Sequence, residues 1–419
     1  MVSRRDAGMD EDMAGALSHL KVLDLSRILA GPIATQNLAD LGATVIKVER
    51  PEVGDDTRSW GPPFLKDSEG EDSFDSSYFL SANRGKKSIT LDFSKPEGQE
   101  IIRKLAIRAD ILVENYKVGT LASYGLSYDD LKAINPRLIY CSVTGFGQDG
   151  PYSHLPGYDF VFQGMGGLMG ITGHADDQPG GGPMKVGIAA GDILTGLYAT
   201  IAILAAVEHR NISGLGQYID MSLLDSVVAT NSYQALNYFI SGRIPQRQGN
   251  AHPNMVPYQV FKCRDGNIIL AIGNDGQFRR FANAIGHEEW PQDPRFATNP
   301  ERIRNRDLLV GHIAEVMLAH DMKDLVAMLE AVNVPCGPIY RMDQVFEDPQ
   351  VKHRGMRISL PHGSGVEAPN VANPIRLSAS PIRYDRAAPM LGEHTEQILS
   401  AELGLSAEEI DHLRRTAVI

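Results

Sequence analysis

Two aspartates, Asp192 and Asp159, stand where a carboxylate could act in catalysis. Asp192 follows a glycine in VGIAAGDILTG and precedes the run 193–207, whose apolar and small residues predict a largely buried helix. Taken alone, Asp192 is most simply a helix cap, because aspartate is a preferred capping residue. A helix N-terminus carries about half a positive charge and unpaired N–H groups, so we also expect it to keep this carboxylate ionised and to stabilise an oxyanion. Asp159, in the loop PGYDF, is either a second active-site carboxylate or a loop cap.

Positive charge is concentrated in NRGKKS (83–88) and at Arg50. This cluster is either a solvated loop or a clamp for a phosphate or carboxylate, since arginine binds such anions through two parallel hydrogen bonds. GFGQDG (145–150) has the glycine spacing of a dinucleotide-binding loop. Pro151 and Pro156 follow it and no helical pattern begins, so we interpret it as a structural turn.

Strands and helices alternate along the chain as far as about Gly147. Short runs such as HLKVLDLS and ILVENY predict buried strands, and AGPIATQNLADLG predicts a helix. The alternation predicts an α/β fold with a parallel sheet, a Rossmann-like layer, in which ligands bind beyond the carboxyl ends of the strands. Those ends are predicted at Ser26-Arg27, Glu49-Arg50, Glu114-Asn115-Tyr116 and Thr144-Gly145.

Length and composition narrow the class of protein. A chain of 419 residues exceeds the usual size of one hydrophobic core, so we expect two domains. A net charge of −12 argues against nucleic-acid binding, and three cysteines without Cys-x-x-Cys favour a reducing cytoplasm and give no support to a metal site. The longest apolar run is shorter than the roughly 20 residues of a spanning helix, so no membrane association is expected. Residues 1–17 are predicted to be a flexible tail.

A series of motifs then resembles one enzyme family, the class III CoA-transferases. The motifs lie in order from about Leu20 to Ile419: VLDLSRILAGP, LADLGATVIKVERP, GDDTRSWGPPF, NRGKKSITLD, ADILVENY, SVTGFGQDGP, GYD, GDILTG, VPCGPI and PMLGEHT. The resemblance implies a Rossmann-like large domain with a parallel sheet, a smaller α+β domain and an interlocked homodimer. We expect the large domain at 18–225, a linker helix and the small domain at 226–345, and a return segment at 346–419 that completes the large domain.

The resemblance also implies roles for individual residues. Asp192 matches the family's nucleophile and Asp159 a supporting active-site group. A position that is often basic in the family is Ser123 here, so one phosphate contact is either missing or replaced by Lys117. Arg84 is our own candidate for binding the carboxylate of the acceptor acid. The implied contacts to coenzyme A are Leu29, Ala30, Arg50, Leu91, Asn115, Tyr116 and Tyr158.

The family's chemistry implies that Asp192 attacks a donor acyl-CoA and forms first an anhydride and then an aspartyl-CoA thioester, with no metal and no permanently bound cofactor. GDDTRSWGPPF and NRGKKSI look most like members that use dicarboxylates, so we expect succinyl-CoA as donor and a four- or five-carbon dicarboxylate as acceptor. Residues 247–258 lack the long glycine loop of formyl-CoA transferases, which argues against formyl or oxalyl substrates. The alternatives are an α-methylacyl-CoA racemase, whose catalytic histidine is replaced here by Tyr158, and a non-catalytic CoA-binding protein.

Overall fold

The computed structural model describes residues 15–419. All but the last three residues of the predicted tail, 1–17, therefore lie outside the described residues. Within those three, Leu17 is buried and its amide donates to the carbonyl of Leu41 over 2.9 Å. The chain is thus already packed before the predicted domain boundary at residue 18.

The chain forms two compact units. The first comprises residues 15–168, Val186–Tyr233 and Lys352–Ile419, and the second comprises Met169–Lys185 and Gln234–Val351. The segment 169–185, which the sequence places in the large domain, packs instead with the second unit.

The described residues contain thirteen strands and eighteen α-helices. The strands are β1 (Lys21–Asp24), β2 (Thr44–Glu49), β3 (Phe64–Lys66), β4 (Asp72–Ser76), β5 (Lys87–Thr90), β6 (Ile111–Glu114), β7 (Ile139–Thr144), β8 (Tyr218–Ser222), β9 (Tyr258–Lys262), β10 (Asn267–Ala271), β11 (Cys336–Pro338), β12 (Arg357–Pro361) and β13 (Glu367–Val371). The helices are α1 (Ala30–Asp40), α2 (Ser77–Asn83), α3 (Pro96–Arg108), α4 (Thr120–Ser123), α5 (Tyr128–Ile134), α6 (Asp159–Met165), α7 (Leu168–Ile171), α8 (Ala190–Ser213), α9 (Leu223–Thr230), α10 (Ser232–Ser241), α11 (Asp275–Ala284), α12 (Asn299–Arg304), α13 (Arg306–Leu318), α14 (Met322–Ala331), α15 (Met342–Val345), α16 (Pro349–His353), α17 (Thr395–Leu403) and α18 (Ala407–Arg415).

The first unit is built on a six-stranded parallel sheet in the order β5-β2-β1-β6-β7-β8. Counted within the sheet, this is the order 3-2-1-4-5-6 of the doubly wound dinucleotide-binding fold, so the Rossmann-like prediction is confirmed. The strand order reverses between β1 and β6. A crevice at the carboxyl ends of these two strands is the general ligand site of such sheets.

Helices cover both faces of this sheet, which explains why its central strands are buried almost along their whole length. Every residue of β6 and β7 is buried. One hydrophobic core joins the sheet to α3, α5, α17 and α18, and a second joins it to α1, α8 and α9. Among residues 15–419, α8 is the one helix long and apolar enough to span a bilayer, but core helices of water-soluble proteins pass the same test.

The second unit has its own antiparallel sheet in the order β11-β10-β9 and a core shared with α11, α13 and α14. The sequence predicts one long helix after β8, but the structure divides it into α9 and α10. The interruption lies at Asn231 and Ser232, where Ser232 has a φ of +43° and the Asn231 amide group donates to the Gly166 carbonyl over 2.6 Å. Asparagine and serine compete with helical hydrogen bonds in this way, which the apolar pattern around them concealed.

Candidate active site

Asp192 lies in the first turn of α8, and its side chain is 9% exposed. Burial, together with the nearby negative charge of Asp159, raises the pKa of Asp192 to about 7. No donor within residues 15–419 hydrogen-bonds its carboxylate. The expectation that the helix would hold this group firmly ionised is therefore wrong.

Asp159, not Asp192, caps α8. One oxygen of the Asp159 carboxylate accepts from the amide of Gly191 over 2.6 Å and from the amide of Asp192 over 3.2 Å. The two other amides of the first turn, those of Ala190 and Ile193, donate to carbonyls of preceding residues. Of the four N–H groups that the N-terminus of α8 leaves without an intrahelical partner, those of Ala190, Gly191 and Asp192 are thus engaged, while the amide of Ile193 makes the first intrahelical bond, to Ala189. Stabilisation of an oxyanion by this helix terminus stays a prediction.

A buried glutamine, Gln163, connects Asp159 to the segment that precedes Asp192. Gln163 lies one turn after Asp159 in α6, and its amide group donates to the second oxygen of the Asp159 carboxylate over 2.5 Å and to the Ile188 carbonyl over 3.2 Å. Its own oxygen accepts from the amide of Val186 over 2.9 Å. Gln163 therefore ties α6 to the segment that leads into α8. Sequence reasoning missed this residue, because a lone glutamine in a short helix carries no signal.

Two glycines explain why the GDILTG motif needs small residues. A Cβ atom added to Gly191 would lie 2.9 Å from the Asp159 carboxylate, so a side chain there would disturb the cap. A Cβ atom added to Gly196, one turn beyond Asp192, would lie 2.7 Å from the carbonyl oxygen of Ala30. Gly196 thus allows α8 to approach α1 closely and brings the Asp192 turn near the predicted CoA contact at Ala30.

Tyr78, at the start of α2, adds a phenol to this site. Burial, and then the charges of Asp192 and Asp159, raise the pKa of Tyr78 to about 12. Its ring lies edge-on to Trp60, with 5.1 Å between the centroids. A phenol that stays protonated beside two carboxylates is a hydrogen-bond donor for negative charge. The sequence offered no signal for Tyr78, since nothing in the pattern around α2 marks one aromatic residue among its neighbours.

The predicted coenzyme A contacts Asn115 and Tyr116 lie at the carboxyl end of β6, beside the point where the strand order reverses. The Asn115 amide group donates to the carbonyl of Arg27 over 2.6 Å, and its oxygen accepts from the amide of Arg27 over 3.0 Å. Tyr116 packs edge-on against Phe93. Asn115 therefore fixes the loop after β1 to the end of β6.

The remaining predicted contacts are distributed around the same edge of the sheet. Leu29 and Ala30 begin α1 and are buried, with Leu29 as its N-cap. Leu91 is 1% exposed and belongs to the core, and its amide donates to the carbonyl of Glu49 over 2.8 Å. Arg50 directly follows β2, and its guanidinium is paired with Asp56 over 2.6 Å. Their contact with coenzyme A stays a prediction.

Buried charges support the loop after β1. The ammonium of Lys47 donates to the carbonyl of Ser26 over 2.8 Å and pairs with the Asp55 carboxylate over 2.9 Å. The same carboxylate accepts from the amide of Ile28 over 3.2 Å. Ile28 has a φ of +71°, which is unfavourable for a β-branched residue. The Lys47–Asp55 pair therefore holds the strained residue that directs Arg27 and Leu29.

Arg84 has a different role from the acceptor clamp expected of it. It is 5% exposed and binds both oxygens of the Asp40 carboxylate, over 2.8 and 2.6 Å. Its third nitrogen donates to Asn370 and to the carbonyl of Val371. Four of its five N–H groups are engaged by protein groups, so Arg84 joins α1 to β13.

The remaining sequence candidates lie at the surface. Tyr158 is 67% exposed, immediately before Asp159. Lys117 and Ser123 are exposed, and the Ser123 hydroxyl donates to the carbonyl of Thr120 over 2.7 Å. In the described part of the chain, His, Cys, Asp and Glu side chains form no group of three or more that could hold a metal ion.

Comparison with known proteins gives one consistent result. A family model described as CoA-transferase family III matches residues 17–395. The chain is 48% identical to a succinate–glutarate CoA-transferase of Agrobacterium fabrum, covering 96% of this chain and 97% of the relative. It is 42% identical to a succinyl-CoA:glutarate CoA-transferase of Homo sapiens, covering 96% and 90%. A crystal structure of a CaiB/BaiF family protein from Brucella suis is similar in fold, with a TM-score of 0.81 and 49% identity over 93% of this chain and 100% of that one.

The burial of Asp192 leads to a stability prediction. Between the ordinary pKa of 3.8 and about 7, the unfolded chain has released a proton that the folded chain retains, so this group lowers stability as the pH rises. The ionised carboxylate then costs on the order of 2–4 kcal/mol at pH 8. Asp192→Asn should therefore melt a few degrees above the wild type at pH 8 and with little difference at pH 4.5, as measured by calorimetry.

Asp225→Asn is the matched control, since Asp225 is an exposed aspartate in the first turn of α9. It should leave the melting temperature nearly unchanged at both pH values. A difference between Asp192→Asn and the wild type that does not depend on pH would show that Asp192 titrates as an ordinary exposed carboxylate.

Proposed function

The chain belongs to CoA-transferase family III, and from this premise we propose that it transfers coenzyme A from succinyl-CoA to a dicarboxylate. The observation that carries the proposal is the environment of Asp192. Its carboxylate is buried, has no hydrogen-bond donor among residues 15–419, and has a pKa raised to about 7. An ionised carboxylate without such stabilisation is a better nucleophile than one held by donors.

The reaction proceeds through covalent intermediates on Asp192. A carboxylate oxygen attacks the thioester carbonyl of the donor, the carbon–sulfur bond breaks, and coenzyme A leaves as a thiolate. The thiolate attacks the side-chain carbonyl of the resulting anhydride, which releases the donor acid and leaves an aspartyl-CoA thioester. The acceptor carboxylate then reverses these two steps and leaves as the new acyl-CoA. Each exchange is divided into steps of lower barrier, and no resident metal or redox group takes part.

Neighbouring residues of this chain assist without reacting. Asp159 fixes the turn that carries Asp192 through its hydrogen bonds to two amides, and its charge helps to raise the pKa of Asp192. Tyr78, whose pKa is raised to about 12 by burial and by both aspartates, stays protonated at neutral pH. Its phenol supplies a hydrogen bond to developing negative charge.

The names of the relatives support the choice of substrates. The relatives from Agrobacterium fabrum and Homo sapiens are both named for succinate or succinyl-CoA and glutarate. A relative from Haloarcula hispanica that is 37% identical is named for succinyl-CoA and mesaconate. We therefore propose glutarate, a five-carbon dicarboxylate, as the first acceptor to test.

The alternative readings are a racemase and a non-catalytic CoA-binding protein. A racemase needs an acid–base group tuned near neutrality, and Tyr158 is a phenol that is 67% exposed. A non-catalytic protein has no use for a nucleophile whose burial costs stability. The raised pKa of Asp192 therefore favours the transferase.

The protein is proposed to act as a cytoplasmic homodimer without membrane association. In the first unit, α8 exposes the apolar side chains of Leu197, Tyr198 and Ile201 at 44%, 42% and 61%. In the second unit, α10 has no buried residue and exposes Phe239 at 72% and Ile240 at 85%. Apolar faces of this kind mark association sites, and a second copy of the chain is the partner implied by the family. Three cysteines without disulfides are compatible with the cytoplasm.

A screen of acceptor acids with succinyl-CoA tests the reaction class. We expect the mass of glutaryl-CoA to appear when glutarate is added, together with equimolar succinate. Conversion of no carboxylic acid, combined with epimerisation of a 2-methylacyl-CoA, would replace the transferase with the racemase.

Covalent participation of Asp192 can be trapped directly. Hydroxylamine added during turnover should convert Asp192 to the hydroxamate, because anhydrides and thioesters acylate it. Asp192→Ala should abolish turnover and trapping but keep the affinity for coenzyme A within about twofold, since the side chain makes no hydrogen bond. Asp225→Ala is the control and should behave as the wild type. Product formation without a modified peptide at position 192 would exclude the covalent route.

The acid limb of the pH profile should report on Asp159. Only the ionised form of Asp192 attacks, so kcat/KM should fall as the pH drops through about 7. Asp159→Asn can still accept from the two amides but carries no charge, so it lowers the pKa of Asp192 and should move this limb to lower pH. Asp225→Asn should leave the limb in place. An unshifted limb in Asp159→Asn would mean that another group controls the ionisation.

A further inference from the structure

Arg27 and Arg50 project from neighbouring strand ends toward the same carboxylate. Arg27 lies three residues beyond β1, and Arg50 directly follows β2. The guanidinium of Arg27 contacts one oxygen of Asp56 over 3.0 Å, and that of Arg50 contacts the other oxygen over 2.6 Å. One carboxylate thus neutralises half of the charge of two arginines, and a net positive charge remains on these three side chains.

The pair lies beside the predicted coenzyme A contacts. The guanidinium of Arg27 stands over the ring of Tyr116, 5.4 Å from its centroid, and the backbone of Arg27 is held on both sides by Asn115. The side chains of Arg27, Arg50 and Asp56 are 41%, 50% and 35% exposed. They are therefore accessible to a ligand that enters where the strand order reverses.

The side chains of Arg27, Arg50 and Asp56 are much more exposed than the neighbouring charged residues of the same loop. Asp55, the residue before Asp56, is buried and paired with the buried Lys47. An exposed pair is worth little, whereas a buried one is costly to break. Asp56 can therefore be displaced from the arginines at small cost, while the Lys47–Asp55 pair keeps the backbone of the loop in place.

We propose that Arg27 is a second phosphate-binding residue for coenzyme A, and that Asp56 is an internal anion that competes with the ligand's phosphates for Arg27 and Arg50. This inference rests on the proposed function. Two guanidiniums that converge on two oxygens match a phosphate group as well as a carboxylate. Arg27 also supplies a positive charge that Ser123 does not.

Direct binding measurements test both parts. Calorimetric titration with coenzyme A should show that Arg27→Gln binds about 10- to 100-fold more weakly than the wild type, the loss of a charge-assisted hydrogen bond. Asp56→Asn should bind about 3- to 10-fold more tightly, because it removes a negative charge within a few ångströms of the phosphates. Raising the salt concentration should reduce both differences.

Three ligands and a matched pair of variants separate the outcomes. Pantetheine lacks phosphate and should bind all variants equally. Dephospho-CoA identifies the phosphate: if Arg27→Gln weakens it as much as coenzyme A, Arg27 binds the diphosphate, and if not, the 3′-phosphate. Lys66→Gln and Asp72→Asn remove an exposed ion pair on the β3–β4 hairpin and should bind as the wild type.

Different results would contradict the role proposed for Arg27 and the role proposed for Asp56. Wild-type affinity in Arg27→Gln, or an equal loss for pantetheine, removes Arg27 from phosphate binding. Weaker binding by Asp56→Asn would make Asp56 a positioning residue and overturn its competing role. Failure of the wild type itself to bind coenzyme A would instead overturn the proposed function.

Discussion

The hydrogen bonds from the amides of Gly191 and Asp192 to the carboxylate of Asp159 are the constraint on which the candidate site depends. They join α6 to the start of α8, and they use the donors that would otherwise stabilise the Asp192 carboxylate. Because Asp192 is also buried, its pKa rises. One contact between two short segments thus holds the proposed nucleophile in position, and the charge of Asp159 adds to the effect of burial on its pKa. The arrangement exchanges stability for function, as active sites often do.

The sequence was sufficient for the parts of the structure that depend on local pattern. Buried runs such as ILVE and IYCSVT predict the parallel sheet, and the apolar stretch after Asp192 predicts α8. It could not assign the cap of α8, because Asp159 and Gly191 meet only after folding. The sequence also could not show the partners of Arg84. Its position in a cluster of positive charge suggested a ligand clamp, but Asp40 and β13, which are distant in the sequence, bind it in the folded chain. Short polar hairpins such as β3–β4 left no periodic signal at all.

The carboxyl edge of the sheet combines rigid and loosely held charges. Lys47, Asp55, Glu49 and Arg58 are almost fully buried and hydrogen-bonded to one another. They hold Ile28 in a conformation that an isoleucine rarely adopts, which is typical of functional loops. Arg27, Arg50 and Asp56 lie above them and are half-exposed. The buried charged residues determine the position of the loop, and the half-exposed ones remain accessible to a ligand.

The close approach of α8 to α1 at Gly196 limits which parts can move during the proposed reaction. Since the backbone of Gly196 in α8 lies against the Ala30 carbonyl of α1 within one turn of Asp192, the proposed nucleophile and the predicted coenzyme A contact at Ala30 are held close together by this helix contact. The start of α1 and the Asp192 turn of α8 are then not expected to move relative to each other. In the proposed reaction, the flexible pantetheine arm is then the part of coenzyme A that would carry the sulfur between the two carbonyl carbons. The small acids are then the only parts that need to enter and leave between half-reactions.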